Sequence, residues 1–505
     1  MMPKSNSCKC GSSGKRDCPA RNEHICRSCC GSKRISEIAC PEDCSHNPFT
    51  PKNYDQRLKT SETLDQKAMH YLRARIGEAK FYKTFNEMLE NVNEETGELI
   101  ITVSVYIQLM FYDKQDSGLS VYEEWEKQDL EGLSNDEKII MRSRSNSQAT
   151  IIEIEKILDH GLLECKDLLD PDAGIFRVMD RSFSKTALRY DRFLVRLEKG
   201  PYYSTLNVVG LKIPQQIRHH FIPNIKQILI QRKERCDNEA VIYFLSREFV
   251  HLPSIIRDMH VDQMQTMLNN MDFHHCIARY EIVGNITKIE NILDEKPEFR
   301  VIDNNDNEKD YIEFEWLRIG ESKDIEKSMI SFFQHKDSSE SYGVLGSIKV
   351  YENILEIEIL SKKKYAFAKQ MIKKYFKDLV TLKAEKVEDS AKQMANRMTE
   401  ESQDDDLEDE EEYFPKEEEN IPREMEQESL NLFYKNHYQK FLDDEIPMLG
   451  NITPRQAAND PKKREALIDL MKEHLNGMEN MQRDKGVIVN IDWVLDELNL
   501  TELKR

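Results

Sequence analysis

The chain has 505 residues, 39% of them hydrophobic and 32% charged, with a formal net charge of −20. At about 100–200 residues per domain this length gives two to four folded units, and the charge density excludes a membrane-embedded transporter. Residues 400–428 hold sixteen Asp or Glu against two Lys or Arg, a net of −14, so most of the acidity belongs to one segment.

Met1 to Lys15 is polar and lacks an apolar stretch, so no secretory leader is expected. The longest apolar-rich run, 99–112, is broken by Thr102, Ser104 and Gln108 and falls short of the ~20 residues a bilayer span needs. The expected compartment is therefore the reducing cytoplasm, where crowded cysteines are metal ligands rather than disulfides.

Residues 1–50 form the first expected unit. Eight of the eleven cysteines lie here: Cys8, Cys10, Cys18, Cys26, Cys29, Cys30, Cys40 and Cys44. Cys26-Arg-Ser-Cys29 and Cys40-Pro-Glu-Asp-Cys44 are two short knuckles whose four thiolates match the tetrahedral set structural zinc prefers. Cys8, Cys10 and Cys18 would form a second set completed by Cys30 or His24. Ile25, Ile35 and Ile38 are the main apolar side chains, too few to offset chain entropy, so the segment needs a metal staple to fold. Lys9, Lys15, Arg16, Arg21, Arg27, Lys33 and Arg34 would offset the negative charge of closed thiolate sites. Zinc is the expected ion and an iron–sulfur cluster the thiolate alternative. Cys165, Cys236 and Cys276 read as ordinary buried thiols.

Cys8-Lys-Cys10-Gly11-Ser12 followed by Lys15 resembles the start of the SEC-C motif, the zinc-binding tail of the SecA translocase. The resemblance implies a closing Cys-Cys pair with a glycine, a part that Cys29-Cys30-Gly31 would play. An insertion carrying Cys18 and Cys26 departs from that pattern. Together with Ile38 and Cys40-Pro41, the cluster also resembles an uncharacterised group of bacterial cysteine-rich proteins, which implies no activity.

Residues 51–276 read as a helical and β-rich body. Leu64, Ala68, Leu72, Ile76, Ala79, Phe85 and Leu89 recur at helical spacing. The β-branched run 99–112 reads as a buried strand, with a core helix as the alternative, and 134–158 reads as helical. Strand-like runs at 174–183, 192–198 and 202–213, separated by Asp170–Gly174 and Lys199-Gly200-Pro201 turns, suggest a small antiparallel sheet or partial barrel. Helices are expected at 215–235 and 261–271. Residues 277–385 read as an α+β domain, with a hairpin around Glu352-Asn353 and a Lys-rich helix at 362–380. The fold class expected for the whole chain is α+β.

Residues 386–428 read as a disordered acidic linker. Residues 429–505 read as a small helical bundle, with Leu432, Phe433, Tyr438, Phe441 and Leu442 available for burial and helix starts at Thr453-Pro454 and Asp460-Pro461. Leu449-Gly450 followed by Thr453-Pro454-Arg455-Gln456-Ala457 resembles the C-terminal helical module of SEC-C-type proteins. More distantly it resembles the toxin-binding domain of the Xre/MbcA/ParS antitoxins. The resemblance implies a helical module and carries over no partner.

No phosphate-binding glycine loop, nucleophile elbow or H-E-x-x-H motif is present. The pairs His219-His220 and His274-His275, and the acids Asp303, Asp306, Asp310, Glu313 and Glu315, read as structural or solvated. The expectation is a non-enzymatic zinc-binding adaptor or regulator that contacts protein and not membrane. The alternatives are nucleic-acid binding through the basic knuckle and the helix at 362–380, and a hydrolase with a site assembled from distant residues.

Overall fold

The computed structural model describes residues 7–90, 92, 97–207, 210–270, 272–302, 310–320, 344–390, 392–393, 423–486 and 488–504. They belong to two compact units, Met1–Arg257 with Glu412–Arg505, and Asp258–Glu411. Both combine helices with largely antiparallel sheets, so the chain is α+β. Most of the expected acidic linker lies outside the described residues.

In the first unit, the helical register expected across 58–89 is broken by Gly77, whose φ of +82° no L side chain adopts easily. Helix Tyr54–Ile76 buries Leu64, Ala68 and Leu72 as expected. Helix Glu78–Glu90 then restarts in a new phase, burying Phe81 and leaving Ala79 and Leu89 exposed. The run at 99–112 is a helix, Glu98–Ile107, continued by a π-turn over Gln108–Tyr112, and not a strand. Ile101, Val105 and Leu109 recur every four residues and pack into an all-helical core with Leu72, Phe81 and Trp125. Packing among these helices overrides the β-branched composition.

Helix Asn135–Ser145 opens with a capping box between Ser134 and Glu137. The expected helix over 134–158 stops there, because the β-branched residues beyond it form a strand. Two strands of the cysteine-rich segment are β1 (Arg16–Cys18) and β2 (Glu23–Ile25). The body's sheet comprises β3 (Gln148–Ile157), β4 (Leu162–Asp167), β5 (Ile175–Met179), β6 (Arg192–Lys199), β7 (Ser204–Leu206) and β8 (Leu211–Lys212). Its order is β3-β4-β5-β7-β6-β8, and a further β3–β6 pairing closes β3, β4, β5, β7 and β6 into a ring. The partial barrel expected from the sequence is thus closed, with β5–β7 as its parallel pair. Alternate residues Ile152, Ile154, Leu163, Cys165, Phe193, Val195 and Leu197 fill its interior. Burial pushes the Cys165 thiol up to about 12. Cys236, expected to be buried, is exposed.

The outward-facing residues of β3 and β6 are buried too, which explains several charges inside the fold. Glu198 accepts from Arg144 at 3.0 Å and pairs with Arg57 at 3.3 Å. Glu153 meets Arg192 at 2.7 Å and Lys472 at 2.6 Å, and Lys472 also reaches Glu155 at 2.7 Å. Lys472 stands on helix Arg464–Lys485, one of the C-terminal helices with Arg423–Phe441, Pro454–Asn459 and Asp492–Glu497. Thr453 caps Pro454–Asn459 in a capping box with Gln456. Asp460-Pro461 forms a turn, and the helix after it begins at Arg464. Tyr438, Phe441 and Leu442 are buried as expected, whereas Leu432 and Phe433 are exposed. The bundle takes Tyr190 of the body into its core, and Asn476 donates to the Arg189 carbonyl at 2.8 Å and to Asp191 at 3.0 Å.

The second unit is a six-stranded antiparallel sheet of β9 (His274–Ile282), β10 (Phe299–Val301), β11 (Tyr311–Leu317), β12 (Val344–Tyr351), β13 (Ile354–Ile359) and β14 (Val380–Asp389). Its order is β10-β11-β12-β13-β9-β14. Helices Ile286–Glu295 and Lys362–Phe376 pack Ile289, Leu293, Ala368, Ile372 and Phe376 against one face. The hairpin around Glu352-Asn353 forms as expected. Strand β14 corrects the expected linker at its start: residues 386–389 pair with β9 at the sheet edge, where Thr381, Lys383, Glu385 and Lys386 are exposed, charges of the kind that blunt an edge against aggregation. Burial, together with nearby Asp272, pushes the Cys276 thiol on β9 up to about 11.

Because Lys472 is desolvated between two carboxylates, Lys472→Ala strands Glu153 without one of its two cations. Losing one partner of a buried pair costs about 3–5 kcal/mol. Chemical denaturation of full-length protein is expected to show a loss of that order, with Lys9→Ala, at an exposed pair, within about 0.5 kcal/mol of wild type.

Candidate metal centre

The site is built from turns. Cys8 and Cys10 lie on a tight loop in which Cys8 N–H donates to the Ser12 carbonyl and Gly11 N–H to the Cys8 carbonyl, each at 2.8 Å. Gly11 takes a φ of +86°, which turns the chain back immediately after Cys10. Cys26 is the N-cap of helix Arg27–Lys33, and its sulfur accepts the Cys29 N–H at 3.3 Å. These two local structures face each other, with Cys10 Sγ 3.6 Å from Cys26 Sγ.

The sulfurs of Cys8, Cys10, Cys26 and Cys29 all lie within 4.8 Å of one another and could hold a metal ion. Four sulfurs at ~2.3 Å around a tetrahedral ion are ~3.8 Å apart, so little movement separates this arrangement from a ligand shell. Backbone hydrogen bonds at Cys10 and Cys26 lower the Cys8 thiol. Hydrogen bonds from the side chain and backbone of Ser12 bring Cys10 down to about 6. Cys29, sharing hydrogen bonds with Cys10, Cys26 and Cys8, is pushed up to about 12. Without a cation the last thiol holds its proton against the charge of its neighbours, and a bound dication removes that obstacle.

The pairing differs from the one spacing suggested. Cys26 and Cys29 join Cys8 and Cys10, not Cys40 and Cys44. Cys29 completes the set with Cys26, whereas the SEC-C resemblance implied the adjacent pair Cys29-Cys30. His24 takes no part: its Nδ1 lies 3.2 Å from Asp17, opposite it across the β1–β2 pair. Cys18 and Cys30 are buried beside Ile25 and Ile38, with Cys40 packed against them. Burial raises the Cys40 thiol, as does negative charge on nearby Cys44, Cys18 and Cys30. Among the described residues no other group of three or more such ligands comes within 4.8 Å.

The surrounding cations are largely engaged. Lys9 and Arg21 pair with Glu23 at 2.9 and 3.7 Å, Lys33 with Glu37 at 3.0 Å, and Arg34 with Asp136 at 3.4 Å. Arg16 donates to the Cys30 sulfur at 3.4 Å.

The segment is fastened to the body at two places. Asn135 donates to the carbonyls of Gly31 and Arg34 at 3.1 and 3.0 Å, at the end of the helix that carries Cys29. Farther on, Glu42 takes both guanidinium nitrogens of Arg177, at 2.9 and 3.1 Å, and the Tyr202 hydroxyl donates to the Cys40 carbonyl. Nothing in the sequence pattern signalled these partners, since each is a single polar residue more than ninety positions away.

The other candidates are held in separate pairs. His219 meets Glu473 at 2.6 Å, His274 meets Asp272 at 3.1 Å, and His275 meets Glu358 at 2.7 Å. Glu315 is buried against Arg300, and Glu313 stands two residues before it on β11, while Asp303 and Asp306 lie outside the described residues. Among the described residues no helix is long and apolar enough to cross a membrane. No family model, curated protein or solved structure matches the chain.

Metal uptake by the apo chain is expected to release protons at neutral pH and to weaken as pH falls through about 6, where Cys10 regains its proton. Calorimetric titration in buffers of different ionisation enthalpy measures this. Heats independent of buffer, with unchanged affinity on acidification, would contradict it.

Proposed function

We propose that the chain is a cytoplasmic bacterial protein whose N-terminal cysteines hold structural zinc, and that it acts as a non-enzymatic adaptor or regulator through protein–protein contacts. The observation that carries this reading is the all-cysteine set of Cys8, Cys10, Cys26 and Cys29. Four thiolates fill a tetrahedral ion and leave no position for water or substrate, which separates structural from catalytic zinc. Thiolates also favour zinc over harder divalent ions, and reduced cysteines suit a cytoplasmic setting.

The engagement of Lys9, Arg21, Lys33 and Arg34 with nearby carboxylates favours a protein partner over nucleic acid, because a phosphate-binding surface needs uncommitted cations. The zinc-bearing segment serves as a shaped surface held on the body by Asn135, Arg177 and Tyr202.

Affinity capture with full-length protein tests the proposal. Zinc-loaded wild type is expected to retain a protein partner that survives nuclease treatment and raised salt. Cys26→Ser is expected to lose it while the rest of the chain stays folded. Retention of nucleic acid alone, lost steeply with salt, would overturn the adaptor reading.

A further inference from the structure

The first quartet uses Cys26 and Cys29, and this changes what the remaining cysteines can do. Cys18, Cys30, Cys40 and Cys44 are left, and the first three meet in one packed cluster. Cys18 and Cys30 are each at most 9% exposed, packed with Ile25 and Ile38, and Cys40 lies against the same cluster. Cys44 follows Cys40 on a turn closed by its own N–H to the Pro41 carbonyl at 3.2 Å.

Cys29 and Cys30 are adjacent on helix Arg27–Lys33, so their side chains leave it about 100° apart and address different sides. Cys29 joins the first quartet, whereas Cys30, outside that quartet, is buried in the cluster that holds Cys18, Ile25 and Ile38 along with Cys8 and Cys26. We propose that Cys18, Cys30, Cys40 and Cys44 bind a second thiophilic divalent cation, interleaved with the first along the chain. This inference rests on the structural-zinc reading of the first site and adds to it a second ion.

In chain order the first ion takes the first, second, fourth and fifth cysteines, and the second takes the third, sixth, seventh and eighth. Neither set can close without fixing a segment that belongs to the other. The sulfurs of the second set are not gathered within 4.8 Å as those of the first are, so the ion itself must draw the Cys40–Cys44 turn inward. That turn is fixed to the body sheet by Tyr202 at Cys40 and by Arg177 at Glu42. The second ion therefore ties the cysteine-rich segment to the β-ring, while the first closes the segment's outer end. Arg16, donating to Cys30 Sγ, supplies positive charge beside the resulting anionic cluster.

Cobalt(II) titration of the full-length apo protein, followed by thiolate-to-cobalt charge-transfer and d–d absorption, tests the assignment. Wild type is expected to saturate at two ions per chain, both with a tetrathiolate spectrum. The double variant Cys40→Ser/Cys44→Ser is expected to fall to one, or to none if closure of the two sets is fully coupled. Saturation of wild type at one ion would overturn the second site and leave the first standing. No tetrathiolate binding at all would overturn both readings. Two ions retained by the double variant, whatever their spectra, would overturn the ligand assignment.

Discussion

The N-terminal fifty residues turn on one constraint: the thiols of Cys8, Cys10, Cys26 and Cys29 crowd together where a metal ion could be held, and in the reading proposed above that ion orders the segment. That segment contains only a handful of apolar side chains, and its small core is made mostly of cysteine with Ile25 and Ile38. A cluster of this size cannot offset the entropy of ordering its turns. Hydrogen bonds to thiolate sulfur, from Ser12 to Cys10 and from Cys29 N–H to Cys26, prepare the geometry, but they gather negative charge that only a cation neutralises. Folding and ligation are then one event.

The rest of the first unit solves the opposite problem. Its β-ring has an apolar interior, and its outer face is roofed by helices, so charged residues that alternate outward on β3 and β6 end up buried. Pairing rescues them: Glu198 between Arg57 and Arg144, and Glu153 between Arg192 and Lys472. Desolvation offsets much of the attraction in these pairs, so their presence adds less stability than their loss would remove. The cysteine-rich segment docks by the same charge pairing, Arg177 with Glu42 and Arg34 with Asp136, and adds neutral partners, Asn135 and Tyr202, that meet backbone carbonyls at the ends of its turns.

Elements with a strong local signal were legible in the sequence. The cap at Thr453, the Glu352-Asn353 hairpin and the i, i+4 stripe of Leu64, Ala68 and Leu72 all depend on neighbours close in the chain. Elements decided by distant contacts were not. The 99–112 run has the composition of a strand, yet helices surround it; Gly77 shifts a helical register by a conformation that periodicity does not encode; β14 is recognisable only through its pairing with β9. The cysteine cluster illustrates both sides. Its residue type and density declared metal chemistry, but spacing alone paired the two knuckles. The loop of Cys8 and Cys10 folds back onto Cys26 and Cys29 because Gly11 reverses the chain and β1 and β2 return it. A group that passes over Cys18 to join Cys26 and Cys29 leaves no trace in a list of intervals.

X-ray absorption at the zinc edge of full-length protein purified without added metal tests the central claim most directly. The account predicts bound zinc with only sulfur in its coordination shell, four scatterers at ~2.3 Å. Nitrogen or oxygen scatterers in that shell, or metal-free protein whose N-terminal segment is nonetheless folded, would contradict it.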